Sequence, residues 1–383
     1  MNLKNNITRN LLNIRGWKTG GKKIVVIESD DWGTVRVSSK EAYNHFLKNN
    51  LPVNECPYNS NDMLENNEDM ERLFETLASV KDKHGNPALL TANNIVANPD
   101  FEKIKDSGYL QYYYEPFTET YRRYPSHDKV VQLYNEGITK KMLLPQFHGR
   151  EHVNVARWLK ALQQNDKAAQ LAFEQNMFSV HAEHKPTVVN EWMDALDADT
   201  DEELQTKPAI VEEGLQLFKT IWGFHSKSFI APCYIWDTTL EPVLEKSGVK
   251  YIQGMVIQLE PVTETGYQYK RKYHYQGQSN KLGQHYLVRN AFFEPSTNPN
   301  FDWVSDCLHR IEAAFRWNKP AIISTHRLNF IGGLRPENRE TNLVLFSNLL
   351  KQITQRWPQV EFMSSAQLGD LINKKNEQQL INQ

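Results

Sequence analysis

Two adjacent aspartates follow the first apolar run of the 383-residue sequence and are candidates for chemistry. Residues 24–27 read Ile-Val-Val-Ile without the alternation of a half-exposed strand, so we expect a strand covered on both faces. Asp30 and Asp31 come at its end. Neighbouring carboxylates repel each other and are costly to desolvate, which favours a bound cation or a shared proton. A helix cap beside a solvated aspartate would also explain the pair.

Histidines follow two later strand candidates. His148 and His152 come directly after residues 141–147 and lie four positions apart. One helical turn would bring both imidazoles to the same side, where they can chelate one ion. The alternative is a capping histidine beside a solvated one. His326 directly follows the apolar run 321–325.

Strand and helix candidates alternate along the chain, which predicts an α/β fold with a parallel sheet. The strand candidates are residues 22–33, 87–92, 141–147, 228–230, 250–256, 285–288, 321–325 and 360–363. The carboxyl ends of parallel strands meet at one edge of a sheet. We therefore expect the two aspartates, the three histidines and the turn at 231–234 to share that edge.

Composition excludes several classes of protein. A net charge of −2 with no Lys/Arg-rich run argues against nucleic acid or an anionic membrane as partner. Cys56, Cys233 and Cys307 lie far apart, so neither a disulfide framework nor a zinc knuckle is indicated. Without a signal-like or membrane-spanning apolar stretch, we predict a cytoplasmic protein. The sequence leaves assembly into a homo-oligomer open.

The predicted domain organisation is a helical extension, residues 1–21, before a single barrel domain, residues 22–383. Insertions are expected near 110–140 and 260–285, and we interpret the aromatic residues of the first as a lid or interface rather than a sugar platform. Residues 190–203 are acidic and are predicted to be a solvated surface connection. For His181 and His184, which follow a helix, we predict no shared site.

The order of these motifs resembles that of the polysaccharide deacetylases, the NodB-like carbohydrate esterases, from residue 22 to about residue 373. Residues 29–33, Ser-Asp-Asp-Trp-Gly, stand where that family has a Thr-Phe-Asp-Asp-Gly-like motif. His148 and His152 match its His-x-x-x-His pair. Residues 230–234 loosely match an Arg-x-Pro-Tyr-like motif, and residues 324–326 match Leu-x-His.

The sequence departs from the family pattern at two positions. Trp32 separates the aspartates from the glycine, and Ile230 stands where the third motif has an arginine. In the family that arginine holds the catalytic carboxylate. Either Arg289 replaces it from another strand, or the activity has shifted.

The resemblance implies a distorted (β/α) barrel of about seven parallel strands that removes an acetyl group from an N- or O-acylated sugar with a divalent metal. By motif position, Asp31, His148 and His152 are the ligands; zinc is favoured, with cobalt, manganese or nickel as alternatives. Asp30 is the general base and His326 the general acid.

The implied partner is an acetylated sugar or oligosaccharide, which for an intracellular enzyme suggests a surface-polysaccharide precursor. We expect tryptophan rings, including Trp303, to stack on it, and the backbone N–H of Tyr234 to stabilise the oxyanion. The predicted substrate-binding residues are Trp32, Tyr234, Trp236, Arg289 and Asn290.

Two other functions fit the sequence. A glycoside hydrolase on a related barrel would use Asp30 as nucleophile or base and Asp237 or Glu294 as acid. A degenerate barrel that only binds carbohydrate is compatible with the missing arginine. Loss of activity on chelation separates the deacetylase from the first alternative.

Overall fold

A curled sheet of parallel strands forms the centre of the molecule. The computed structural model describes residues 3–181, 192–265 and 267–381. The strands are Lys23–Trp32 (β1), Leu90–Ile95 (β2), Ala97–Pro99 (β3), Tyr114–Pro116 (β4), Leu143–Gly149 (β5), Ser228–Ile230 (β6), Tyr251–Gly254 (β7), Ile257–Val262 (β8), Gln268–Tyr273 (β9), His285–Val288 (β10), Ala291–Phe292 (β11), Ala321–His326 (β12) and Val360–Met363 (β13).

Helices follow most of these strands and cover the sheet. The α-helices are Leu3–Ile14 (α1), Lys40–Lys48 (α2), Pro57–Asn61 (α3), Asn67–Ala78 (α4), Phe101–Asp106 (α5), Phe117–Tyr121 (α6), Val130–Thr139 (α7), Val155–Gln163 (α8), Lys167–Glu174 (α9), Asp201–Trp222 (α10), Glu241–Lys246 (α11), Trp303–Arg316 (α12), Pro336–Arg356 (α13) and Ser365–Ile381 (α14). Short 3₁₀ helices span Pro232–Tyr234, Thr238–Leu240 and Arg327–Phe330.

The sheet closes into a distorted barrel. Its strands follow the order β10, β7, β6, β5, β2, β1, β12, β11, with parallel pairing throughout. β10 and β11 belong to one segment, in which the N–H of Arg289 donates to Gly254 (2.9 Å) and that of Asn290 to Ile322 (3.1 Å). This segment therefore joins the two ends of the sheet. The predicted α/β fold, a (β/α) barrel of about seven parallel strands, is confirmed.

The first strand lies at the centre of this arrangement. β1 pairs with β12 along one edge; along the other it pairs first with β13 and then with β2. Ile24, Val25, Val26 and Ile27 have no exposed surface. The uninterrupted apolar run thus forms a strand covered on both faces, as predicted.

Some aromatic residues of the first predicted insertion belong to the core, whereas Tyr113 and Tyr114 are exposed. Phe117, Tyr121 and Tyr134 are buried, and the hydroxyls of both tyrosines donate to Oε1 of Glu65, at 2.5 and 2.6 Å. The rings of these three residues pack between the barrel and its helices. For the exposed tyrosines the interpretation as a lid or interface stays a prediction. β8 and β9 form an antiparallel hairpin that overlaps the start of the second predicted insertion.

The acidic segment before α10 is a buried ion-pair cluster rather than a solvated connection. Asp194 and Asp197 are buried, and both pair with the guanidinium of Arg157. Arg157 also pairs with Asp199 at 2.7 Å. A sequence-distant arginine compensates these charges, which is why the local acidity misled the prediction. Residues 190 and 191 lie outside the described part of the chain, as do the predicted domain limits at 1 and 383.

The N-terminal helix packs on the barrel's outer layer. Arg9 of α1 pairs with Asp306 of α12, and Asn13 accepts a hydrogen bond from the side chain of Asn290 at 2.9 Å. Among the helices of the described residues, none combines the length and apolar character that crossing a bilayer requires.

Candidate metal centre

A backbone irregularity at the end of β1 brings the two aspartates to the same site. In a regular strand, adjacent side chains point to opposite faces. The pairing of β1 with β2 shifts register between Ser29 and Trp32, and Asp31 has a left-handed φ of 73°. Such bulges re-aim side chains, and a positive φ in a non-glycine residue marks local strain. Gly33, at φ 85°, then turns the chain away.

Asp31 meets both histidines of the His-x-x-x-His pair. Its Oδ1 lies 3.3 Å from Nε2 of His148 and 3.2 Å from Nε2 of His152. One ligand atom from each residue lies within 4.8 Å of the others, and all three side chains are buried. Burial alone would raise the pKa of Asp31, but the contacts with His148 and His152 hold it well below its ordinary value. Asp31 is therefore ionised.

The donor set fits a cation. Nδ1 of His148 lies 3.0 Å from the carbonyl oxygen of Ile230, which can only accept, so Nδ1 carries the proton. Nε2 of His148 then faces the Asp31 carboxylate at 3.3 Å, where a positive charge between the two atoms, either a proton or a bound cation, stabilises the contact. Burial lowers the pKa of His152, which favours its neutral, ligating form.

Asp30 is held beside this cluster by an arginine. Nη1 and Nη2 of Arg289 donate to its Oδ2 and Oδ1, both at 2.7 Å, and Nδ2 of Asn93 donates to Oδ1 at 2.7 Å. Nε of Arg289 donates to Glu28 at 2.7 Å. Burial would raise the pKa of Asp30, but Arg289 outweighs it and lowers that pKa to about 2. Of the two alternatives for the missing third-motif arginine, the contacts match replacement by Arg289.

His326 faces Asp30 from the end of β12. Its Nε2 lies 3.8 Å from Oδ2 of Asp30, and its Nδ1 lies 2.7 Å from Oε1 of Glu294. Glu294 is fixed in turn by the Asn329 side chain, which donates to Oε2 at 2.8 Å. Burial disfavours the charged imidazole, yet Glu294 and the aspartates raise the pKa of His326 to about 10. The ring is therefore protonated at neutral pH.

Three residues predicted to bind substrate have structural positions instead. Trp32 is 1% exposed and donates to Ser29, and Trp236 is 4% exposed, so neither offers a ring face to a sugar. Asn290 donates to Pro320 and Asn13 and accepts from the N–H of Ile322. These predictions were wrong because the side chains pack between strands and helices that the sequence does not show to be adjacent.

The third-motif turn also differs from expectation. The N–H of Tyr234 donates to the carbonyl of Ala231 at 3.1 Å, which leaves it no free proton for an oxyanion. Its hydroxyl accepts from Arg289 at 3.0 Å instead. Trp303 lies half-buried at the start of α12 and donates to the carbonyl of Asn298. Asp237 caps a 3₁₀ helix.

Sequence reasoning missed several residues around the centre. Glu28 stands two positions before Asp30, and the period of two along a strand would have placed both on one face. Asn93, near the end of β2, follows from the same shared-edge argument. Tyr58, from α3, meets the ring of His326 edge-on at 5.6 Å. It lies in a connection without periodic pattern, so no sequence signal points to it.

Comparisons with known proteins leave the family open. No protein-family model matches the chain, and no curated protein sequence does. Among solved structures, a putative polysaccharide deacetylase from Mycobacterium smegmatis is similar at 10% identity and a TM-score of 0.43, over 94% of both chains. Puue allantoinase is similar at 9% identity and TM-score 0.43, over 94% of this chain and 93% of that one.

A third similarity is to 4-alpha-glucanotransferase from Thermococcus litoralis, at 9% identity and TM-score 0.45. The similarity covers 90% of this chain but only 40% of the glucanotransferase chain. Likenesses this distant do not identify a function, so the functional argument depends on the geometry of the centre.

Proposed function

We propose that this protein is a metal-dependent hydrolase that removes an acetyl or similar acyl group from an N- or O-acylated sugar, as a divergent relative of the polysaccharide deacetylases. One observation carries the proposal. The Asp31 carboxylate faces two imidazole nitrogens within 3.3 Å, directly beside the Asp30 and His326 pair. A deacylase of this kind needs a cation site, a base and an acid that converge on one carbonyl.

Asp31, His148 and His152 would hold the ion. Their mixed oxygen and nitrogen donors suit zinc best, with cobalt, manganese and nickel as alternatives. A divalent cation bound there would polarise the acyl carbonyl and lower the pKa of a nearby water.

Asp30 would accept the proton of the attacking water at Oδ2. Its Oδ1 already accepts from both Asn93 and Arg289, whereas Oδ2 accepts only from Arg289 among the described residues. Oδ2 therefore keeps acceptor capacity on the side that faces His326. The two-point contact with Arg289 fixes the carboxylate plane and so orients this oxygen.

His326 would protonate the leaving nitrogen or oxygen from Nε2. Because Nδ1 is bound to Glu294, the second ring nitrogen points towards Asp30. The raised pKa keeps that nitrogen protonated at neutral pH, as an acid requires. Glu294 acts as a positioning residue that sets the ring orientation and stabilises the imidazolium.

A glycosidase is less compatible with these contacts. It needs two carboxyl groups free to act on either side of a sugar bond. Of the two acids considered for a glycosidase, Glu294 is held by His326 and Asn329, and Asp237 caps a 3₁₀ helix. The substrate class, an intracellular sugar precursor, and the cytoplasmic location are carried over from the sequence as part of the proposal.

The test combines metal analysis with two variants and acetate release from acetylated amino sugars, their nucleotide-linked forms and O-acetylated sugars. We expect EDTA to abolish turnover and zinc, cobalt or manganese to restore it. Asp30→Asn should keep metal and lose about 10²–10⁴-fold in kcat, the range of a general base. His148→Ala should lose both metal and turnover.

The control is His84→Ala, at a histidine whose side chain is 56% exposed and which makes none of the contacts described for the centre. It should bind metal and turn over like the wild type. Retention of stoichiometric metal by His148→Ala, or wild-type turnover unaffected by chelation, would contradict the proposal.

A further inference from the structure

Tyr58 lies at the candidate centre without belonging to any of its motifs. Its ring meets that of His326 edge-on, with centroids 5.6 Å apart and an interplanar angle of 89°. On another side, the guanidinium carbon of Arg36 lies 5.2 Å from the ring centroid. The residue is half-buried. Both neighbours hold the ring beside the end of β12.

The hydroxyl of Tyr58 is available to a ligand. It has no hydrogen-bond partner in the part of the chain that the structure describes. Burial, together with the charges of Glu294 and Asp31, raises its pKa well above the ordinary value. The phenol therefore keeps its proton and can donate a hydrogen bond beside the cluster that contains Asp31.

The short helix α3 that carries Tyr58 is tied to the strand end that carries His326. Arg327, the next residue, donates to both carboxylate oxygens of Asp62, just after α3, at 3.0 and 2.9 Å. The Asn59 side chain accepts from the N–H of His181 at 2.8 Å. His184, singled out with His181 in the sequence, lies outside the described residues. These contacts fix the position of Tyr58 before any ligand binds.

One donor expected at the centre is engaged in another hydrogen bond. The attack of water on an acyl carbon places negative charge on the carbonyl oxygen, and fixed donors aimed at that oxygen stabilise it. The N–H of Tyr234, expected to serve this purpose, is bonded to Ala231. A donor that acts beside the cation would therefore come from another residue near the centre.

We propose that the Tyr58 hydroxyl donates a hydrogen bond to the acyl oxygen of the substrate as negative charge develops on it. No proton is transferred, so Tyr58 returns unchanged when the carbonyl re-forms. This inference rests on the proposed hydrolase function and adds to it a catalytic residue from the connection between β1 and β2.

The test is Tyr58→Phe, which keeps the ring against His326 and removes only the oxygen. Relative to wild type, we expect kcat to fall about 10²-fold, near the lower end for loss of one oxyanion donor. KM should change less than about twofold, because the bond strengthens in the transition state. Metal content and the urea unfolding midpoint should stay unchanged. Tyr273→Phe, at a tyrosine 64% exposed, is the matched control and should behave as wild type.

A second measurement separates this inference from the hydrolase proposal. Acetohydroxamic acid, a mimic of the charged intermediate, should bind zinc-loaded Tyr58→Phe about tenfold more weakly than wild type, as for a lost hydrogen bond to a charged group. If the wild type neither turns over acetylated sugars nor binds acetohydroxamic acid, both proposals fail. If wild type turns over and Tyr58→Phe keeps kcat within twofold, only the role of Tyr58 is overturned. Weakened binding without any wild-type turnover would support Tyr58 as the donor and overturn the hydrolase.

Discussion

Replacing Arg289 with methionine tests whether the buried ion cluster holds the barrel interior together. The Arg289 side chain has no exposed surface and makes three charge-assisted contacts of 2.7 Å, two to Asp30 and one to Glu28. Methionine roughly keeps the length of the side chain and removes every donor. Two buried carboxylates would then lack their cation.

The magnitude follows from the pKa of Asp30 and from buried ion pairs in general. Holding that pKa at about 2 instead of the ordinary 3.8 corresponds to about 2.4 kcal/mol of stability at pH 7. Removing one partner of a buried pair costs about 3–5 kcal/mol, because the other charge stays buried. We expect Arg289→Met to lower the free energy of unfolding by about 3–5 kcal/mol at pH 7.

The pH dependence of this loss has a definite sign. In the wild type, the Asp30 contribution is complete above the unfolded pKa of 3.8 and is lost only as pH falls towards 2. In the variant, burial without a cation raises the pKa of both carboxyls above their unfolded values, so protonation relieves the penalty as pH falls. The difference between the two proteins should therefore shrink from pH 7 to pH 5.

The assay is urea unfolding of the metal-free proteins, followed by far-UV circular dichroism at pH 7 and pH 5. Arg72→Met is the control, since Arg72 pairs with Glu75 and Glu340 in side chains that are 42–66% exposed. Its midpoint should match that of the wild type, because exposed pairs contribute little. Adding Glu28→Gln to Arg289→Met should recover part of the loss. An Arg289→Met midpoint equal to that of Arg72→Met at pH 7 would refute the reasoning.

Two further predictions concern the acid and the core. Replacing Glu294 by glutamine removes the charge that raises the pKa of His326 to about 10. The pH at which kcat falls on the alkaline side should then decrease by about one unit or more, because the imidazolium of His326 loses its proton at lower pH. If that pH does not change, the imidazole is not the acid. Trp32→Ala should cost about 3–5 kcal/mol in urea unfolding, as for a fully buried aromatic ring. A loss no larger than that of half-buried Trp303→Ala would show that Trp32 is not a core residue.

Much of the fold could be predicted from the sequence because its signals are local. The run at 24–27 is apolar without alternation, and that pattern alone specifies a strand covered on both faces. Repetition of strand and helix then specifies a parallel sheet, whose strand ends share an edge. Asp31, His148, His152 and His326 were found by this route, as residues at strand ends.

The tertiary structure decided what those side chains meet. The left-handed backbone of Asp31 turns its side chain towards the histidines. The two residues between β10 and β11 include Arg289, which this segment brings to Asp30. Side-chain direction past a strand end depends on contacts between distant parts of the chain, which periodicity does not encode.

The same limit explains the errors. Trp32 and Asn290 follow strands just as the site residues do, but packing and hydrogen bonds from other elements enclose them. Glu28 was predictable from the period of two, whereas Tyr58 was not, since Arg327 and Asp62 bring its helix to His326 across 265 positions of sequence. The sequence alone determined the strands and the edge where chemistry gathers; only the folded chain determined which polar groups at that edge remain open to a ligand, because burial and pairing are set by non-local contacts.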